Sequence, residues 1–131
     1  LLRRACDQLH AYFDGDLNEF DLPLAPAGTA YRQRVWRALC AIPYGQTRSY
    51  IDIARLAGGS ARSVGQANGC NPIPVIIPCH RVVLAAGRST RGTTAHLGGY
   101  SGGEGLATKR YLLALEAHAQ SLLQPVPSAA A

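Results

Sequence analysis

A chain of 131 residues that is 47% hydrophobic and 16% charged has the length of one ordinary domain and enough apolar material for a core, which excludes a disordered polypeptide. Its 13 Lys and Arg against 8 Asp and Glu give a net charge of +5, and all but one of the cations are arginine, compatible with nucleic acid without demanding it. No apolar run approaches the roughly 18 residues that span a bilayer and no secretory signal opens the chain, so no membrane association is expected. The four cysteines form no C-x-x-C pair, and no histidine stands at zinc-ligand spacing. The expectation is reduced thiols, no metal and a cytoplasmic protein. The chain opens on Leu1 rather than Met, as a truncated or processed sequence would.

Leu2, Ala5, Leu9, Tyr12 and Phe13 recur at helical spacing and predict an amphipathic helix ending near Gly15. Phe20 to Leu22 alternates briefly before Pro23 and Pro26, as a linker or edge segment would. Thr29 can cap a second helix with Val35, Trp36, Leu39 and Cys40 inward, stopping before Ile42 and Pro43. Cys40 is therefore expected in the core. After a turn at Tyr44-Gly45-Gln46, Thr47 or Ser49 caps a third helix with Tyr50, Ile53, Ala54 and Ala57 on one face. Gly58-Gly59 closes it, and Ser60 caps a fourth from Ala61 to Gly69, making a helix-turn-helix. The side chains of this fourth helix are nearly all small, with Arg62 the one long cation near its start. Small residues suit close approach to a narrow groove or to a neighbouring helix, and both readings stand. A helix N-terminus also favours phosphate.

The most informative stretch runs from Asn71 to Val83. Prolines at 72, 74 and 78 fix φ and remove donors, so the run cannot be helical and makes a poor central strand. Val75, Ile76 and Ile77 want burial, so this stiff segment should thread the core and present Cys79 beside His80 and Arg81. A lone cysteine is more often structural. A thiol is nucleophilic only as thiolate, however, and basic neighbours lower its pKa from about 8.5, which favours a nucleophile in this frame. Cys70 abuts Asn71 and can border the site, whereas Cys6 carries no signal. Beyond it, Val82 to Leu84 fits a short wing strand, and residues 85–99 a long loop with Arg88, Arg91 and His96. Ser101 and Glu104 have capping-box spacing before a last helix carrying Leu112, Leu113 and Leu115. Glu116 lies where that apolar stripe turns inward, so a buried partner is expected. Residues 119–131 read as a frayed tail.

Several of these pieces occur together in one ordered set: Ile42-Pro43-Tyr44-Gly45 with Thr47, Ser49 and Tyr50; Ala61-Arg62-Ser63-Val64-Gly65; Asn71-Pro72; Ile77-Pro78-Cys79-His80-Arg81-Val82; Tyr100-Ser101-Gly102-Gly103; and Leu112-Leu113 with Glu116. On them the chain resembles the O6-alkylguanine-DNA alkyltransferases, which repair DNA by direct reversal. The resemblance implies a mainly α fold with a small β wing. Residues 27–118 would form a winged-helix-like helix-turn-helix catalytic domain, preceded at 1–26 by the remnant of a truncated α/β N-terminal domain.

It further implies that Cys79 takes the alkyl group from guanine O6, and from O4 of alkylthymine, once per molecule and without cofactor. His80 would act as base through a water, Glu116 would orient it, and Asn71 would brace the turn that presents the thiol. Duplex DNA would be met through the minor groove by a monomer, with the damaged base extruded. Ala61 and Gly65 would lie against the groove, Arg62 would fill the vacated stack, and Tyr50 would sit at the flipped nucleotide and protonate the leaving guanine. Pro74 and Tyr100 would wall the base pocket, with Ser101 near O6. Arg81 is assigned to structure first. The stretch between Val83 and Tyr100 is longer than the family usually has, and Asn68, Gly69 and Cys70 differ from its commoner pattern.

Other readings compete. A non-catalytic relative that flags alkylated DNA would have replaced the cysteine, and Cys79 is present; a regulatory domain of a larger adaptive-response protein is a further alternative. A Cys-His hydrolase would need an oxyanion hole, for which no motif is evident, and leaves the helix-turn-helix unexplained.

Overall fold

Side-chain caps set the starts of three of the helices. The computed structural model describes residues 2–84, 98–100, 103 and 105–123. Helix α1 (Leu2–Phe13) ends where Gly15 takes φ +83°, a conformation that favours glycine. In α2 (Ala30–Cys40) the Thr29 side chain accepts from Arg32 N. Between the two candidate caps of α3 (Tyr50–Ala57), the structure uses Ser49, in a reciprocal capping box with Asp52. Ser60 and Ser63 form a second such box at the start of α4 (Ala61–Gly69). Gly59 makes the α3–α4 turn possible: it has φ +80°, and a Cβ there would lie 2.4 Å from Ser63 Oγ and 2.5 Å from Tyr31 Oη.

Helices α2, α3 and α4 pack on one another around Val35, Trp36, Leu39, Ile53, Val64 and Ala67. Trp36 buries its ring and donates its indole N–H to Ala67 O at 2.9 Å, satisfying a carbonyl in the last turn of α4. Truncating a residue as enclosed as Leu39 to alanine would cost about 2–5 kcal/mol. Strands β1 (Arg48–Ser49) and β2 (Val82–Val83) pair in parallel, Arg48 with Val82 and Ser49 with Val83. The architecture is mostly helical with a two-stranded sheet, as expected. Helix α5 (Leu106–Leu123) closes the molecule against the segment before β2.

Several expectations need correction. The proline-rich run is not α-helix, but Cys79–Arg81 forms one turn of 3-10 helix, which needs no donor from Pro78. Cys40 is exposed rather than core, because it ends α2 and borders a surface cavity beside Phe20 and Leu24. Of the apolar face expected for α1, only Tyr12 is buried; Leu2 is 79% and Phe13 41% exposed. Helix α5 runs through residue 119 to Leu123, with Ala119 buried on its inner side, so the helix continues where a tail was expected. The capping-box pair Ser101 and Glu104, the loop residues Arg88, Arg91 and His96, and residues 124–131 lie outside the described residues.

Candidate active site

Asn71 governs how the thiol is presented. Its Nδ2 donates to Ile77 O at 2.8 Å and its Oδ1 accepts from Ile73 N at 2.9 Å, while Ile77 N bonds back to Ile73 O. One side chain thus ties both ends of a turn in which Val75 sits at φ +73°. A β-branched residue in that region is strained by about 1–3 kcal/mol, and the two Asn71 bonds help hold it. From this turn Ile77 to Val82 run buried, carrying Cys79, His80 and Arg81 inside.

Cys79 is only 4% exposed but lines a cavity of about 660 Å³ bounded by Tyr50, Ala61, Arg62, Gly65, Asn68 and Tyr100, among others. Burial pushes its thiol up, against the opposing effects of an Asn71 hydrogen bond and the Lys109 charge. The cationic neighbours in sequence do not activate it as expected: Arg81 turns away to a carboxylate, and His80 is held neutral. The resting sulfur is a thiol that needs a base.

Glu116, fully buried on α5, collects the donors. His80 Nε2 lies 2.6 Å from Oε2, Arg81 donates through Nε at 2.8 Å and Nη2 at 2.9 Å, and Tyr12 Oη donates at 2.6 Å. Gly45 N adds a bond at 3.3 Å. Burial alone would raise the carboxyl, yet the bonds from His80, Arg81 and Tyr12 outweigh it and hold the group at about 2. Burial also pushes the His80 imidazole below its ordinary value, against the pull of Glu116. The pair is therefore carboxylate with neutral imidazole, the charge being matched by Arg81. With Nε2–H on Glu116, Nδ1 is the basic nitrogen, and it is buried without a hydrogen-bond partner among the described residues.

One residue of the site was not singled out from the sequence, and another was noted only as a departure from the family's commoner pattern. Lys109, the sole lysine of the chain, is fully buried, with Nζ on Val82 O at 2.6 Å and Gly99 O at 3.1 Å. Burial brings it down to about 8, and Cys79 pulls it back up. Its signal was periodicity: with Leu112 and Glu116 it forms a single helical stripe. Asn68, the other, donates to Cys79 O at 3.3 Å and borders the cavity.

Among the residues expected to meet substrate, Tyr50, Ala61, Arg62, Gly65 and Tyr100 share the cavity with Cys79. Tyr50 accepts a bond from the Gly99 backbone and its ring lies under Lys109. Tyr100 hydrogen-bonds the thiol, and burial pushes its hydroxyl up to about 12. Pro74 is exposed, bridges to Ile77, and does not line this cavity. Ser101 lies outside the described residues. Cys70 ends α4, exposed and away from the cavity lining. Among the described residues no cluster of three or more His, Cys, Asp or Glu could hold a metal ion, and no helix is long and apolar enough to cross a membrane.

Residues 30–118 match the family model for the DNA-binding domain of 6-O-methylguanine DNA methyltransferase. A Mycobacterium bovis relative named methylated-DNA–protein-cysteine methyltransferase is 54% identical over 114 residues, 86% of this chain and 63% of its own length. A Methanosarcina barkeri protein of the same name is 50% identical over 116 residues, 87% of this chain and 67% of its own. The crystal structure of Mycobacterium tuberculosis OGT in complex with DNA superposes with a TM-score of 0.77 at 52% identity, covering 88% of this chain and 65% of that one. The chain thus spans less than two thirds of the length of the mycobacterial relatives it matches. Over the helix-turn-helix and the cysteine turn together, the chain belongs to the 6-O-methylguanine DNA methyltransferase family.

Proposed function

We propose that this chain repairs DNA by moving the alkyl group of O6-alkylguanine, and of O4-alkylthymine, irreversibly onto its own Cys79, one transfer per molecule. The observation that carries the reading is a thiol facing an open cavity beside a neutral imidazole that is itself anchored on a buried carboxylate. The thiol proton passes through a water to His80 Nδ1, and Glu116 stabilises the imidazolium that forms without taking the proton. Sulfur attacks the alkyl carbon in line as the carbon–O6 bond breaks. The electron pair leaves with guanine, which Tyr50 protonates, and the proton held on His80 then returns through water to the Tyr50 phenolate, leaving both residues neutral. Because sulfur is the final acceptor, no cofactor takes part.

The target atom lies inside a duplex, so the base must be extruded into the cavity. Residues 27–118 form the unit that does this, as a monomer and on the DNA of the cytoplasm. Helix α4 enters the minor groove, Ala61 and Gly65 allow close approach, and Arg62, exposed at the cavity mouth, fills the gap in the stack. Tyr100 forms a wall of the base pocket. Ser101 is assigned the place near O6, whereas Pro74, exposed on the turn before the thiol and off the cavity lining, takes no part in this wall. The relatives' printed names and the DNA-bound OGT support the same reading.

The test is mass spectrometry after incubation with a duplex carrying O6-methylguanine. One added methyl on the peptide containing Cys79, saturating at one per protein, is expected. Sustained turnover would point to a hydrolase instead.

A further inference from the structure

Tyr12 comes from α1, far in sequence from the thiol, and the transfer chemistry above gives it no part. Its ring is fully buried, edge-on to Phe13 at 5.2 Å and to Tyr44 at 6.1 Å, and tilted against Phe20 at 5.5 Å. Helix α1 is itself fastened to the following segment: Gln8 exchanges two bonds with the Asp21 backbone, and Arg4 pairs with the Asp21 carboxylate. The ring contacts fix where the hydroxyl points, which is at Oε2 of Glu116, 2.6 Å away, the oxygen also reached by His80 and Arg81. A ring that only filled space would need no hydroxyl. A short bond to a buried anion is worth more than a neutral one.

We infer that Tyr12 is a positioning residue for the transfer: its hydroxyl fixes the Glu116 carboxylate and draws off part of its charge, setting how firmly that carboxylate holds the proton on His80. The inference rests on the reading of His80 as the base for Cys79. The groups facing His80 are Glu116 and Lys109 from α5 and Arg81 from its own turn. Those facing Glu116 add Tyr12 from α1 and Tyr44 from the turn after α2. Among them Tyr12 donates to the carboxylate without bringing a charge, and burial followed by its bond to Glu116 keeps the phenol protonated. Without that donor, the negative charge falls more fully on the imidazole. The protonated form of His80 gains, and the neutral base is lost at a higher pH.

The experiment compares Tyr12→Phe with the parent chain in single-turnover transfer from about pH 5 to pH 9, with the His80 ring followed by NMR in the same buffers. In the variant, the acid limb of the rate profile and the His80 titration should both move up by about half a unit or more. Transfer should accordingly fall several-fold more at acid than at alkaline pH. Superimposable profiles and titrations in a folded variant overturn the inference, as does a variant that loses only thermal stability. If the parent chain moves no alkyl group to Cys79 the repair reading fails, while the NMR titration still decides the role of Tyr12. Should Tyr12→Phe not fold, the parent decides it: a slowly exchanging downfield hydroxyl proton on Tyr12 supports the bond, and its absence overturns it.

Discussion

Arg81 grips Glu116 with two donors, Nε to Oε1 at 2.8 Å and Nη2 to Oε2 at 2.9 Å, and its third nitrogen, Nη1, donates to Ile42 O at 2.8 Å. An arginine two residues from Cys79 thus serves the carboxylate rather than the sulfur. It ties the 3-10 turn to α5 and to the turn after α2. The charge of Glu116 is matched by Arg81, which leaves His80 free to stay neutral.

Replacing Glu116 with Gln strands Arg81 in the interior without a counter-charge. Removing one partner of a buried ion pair costs about 3–5 kcal/mol, and a loss of that order is expected in urea unfolding. A change below about 1 kcal/mol would mean that the pair contributes little to the fold.

The same carboxylate makes stability depend on acid. Its folded value of about 2 lies below the ordinary 4.5, so the unfolded chain binds this proton at a pH where the folded chain does not. The stabilisation is full above about pH 4.5 and is lost as pH falls towards 2. His80, depressed by burial, adds a loss in the same direction as pH drops through its ordinary value. Urea midpoints measured against pH should fall across this range, and Glu116→Gln should flatten the lower part of the curve.

Asn71→Ala removes the bonds to Ile77 O and Ile73 N together with the one to the thiol. The turn should loosen by about 1–3 kcal/mol, and the Cys79 thiol should ionise at still higher pH. Reaction of Cys79 with a small alkylating reagent, followed against pH, reports the second effect. An unmoved profile would confine Asn71 to the backbone turn.

Gly65 separates the two uses of small side chains on α4. A Cβ there meets nothing closer than the Tyr50 ring at 3.9 Å, so the packing of this chain does not demand glycine. Gly65→Ala should fold normally, and even gain about 0.5–1 kcal/mol from helix propensity. If α4 enters a narrow groove, its affinity for duplex should drop, and Gly65→Leu should lower it further. Unchanged duplex binding by both variants would place this face away from DNA.

Arg62→Ala should slow transfer from O6-methylguanine in duplex more than reaction with free O6-benzylguanine, because only the duplex needs its gap filled. Equal losses on the two substrates would remove Arg62 from the extrusion step.

Local signals determined much of this protein. The caps Thr29, Ser49 and Ser60, the glycine turn at 58–59 and the proline frame before Cys79 act within a few residues of themselves, so they could be read directly from the chain. The proposed nucleophile and base could be picked out for the same reason: Cys79 and His80 are adjacent. What surrounds Glu116 was decided only in three dimensions. Tyr12 lies 104 residues from it in sequence and Arg81 35 residues away, and no periodicity records which buried donors will converge on one carboxylate. The state of the thiol was likewise set by the fold. Adjacency to His80 and Arg81 suggested a lowered pKa, but burial raises it, and the cation that faces the sulfur is Lys109 from the last helix. Desolvation and long-range charge depend on what the chain packs against itself, which a linear pattern does not carry.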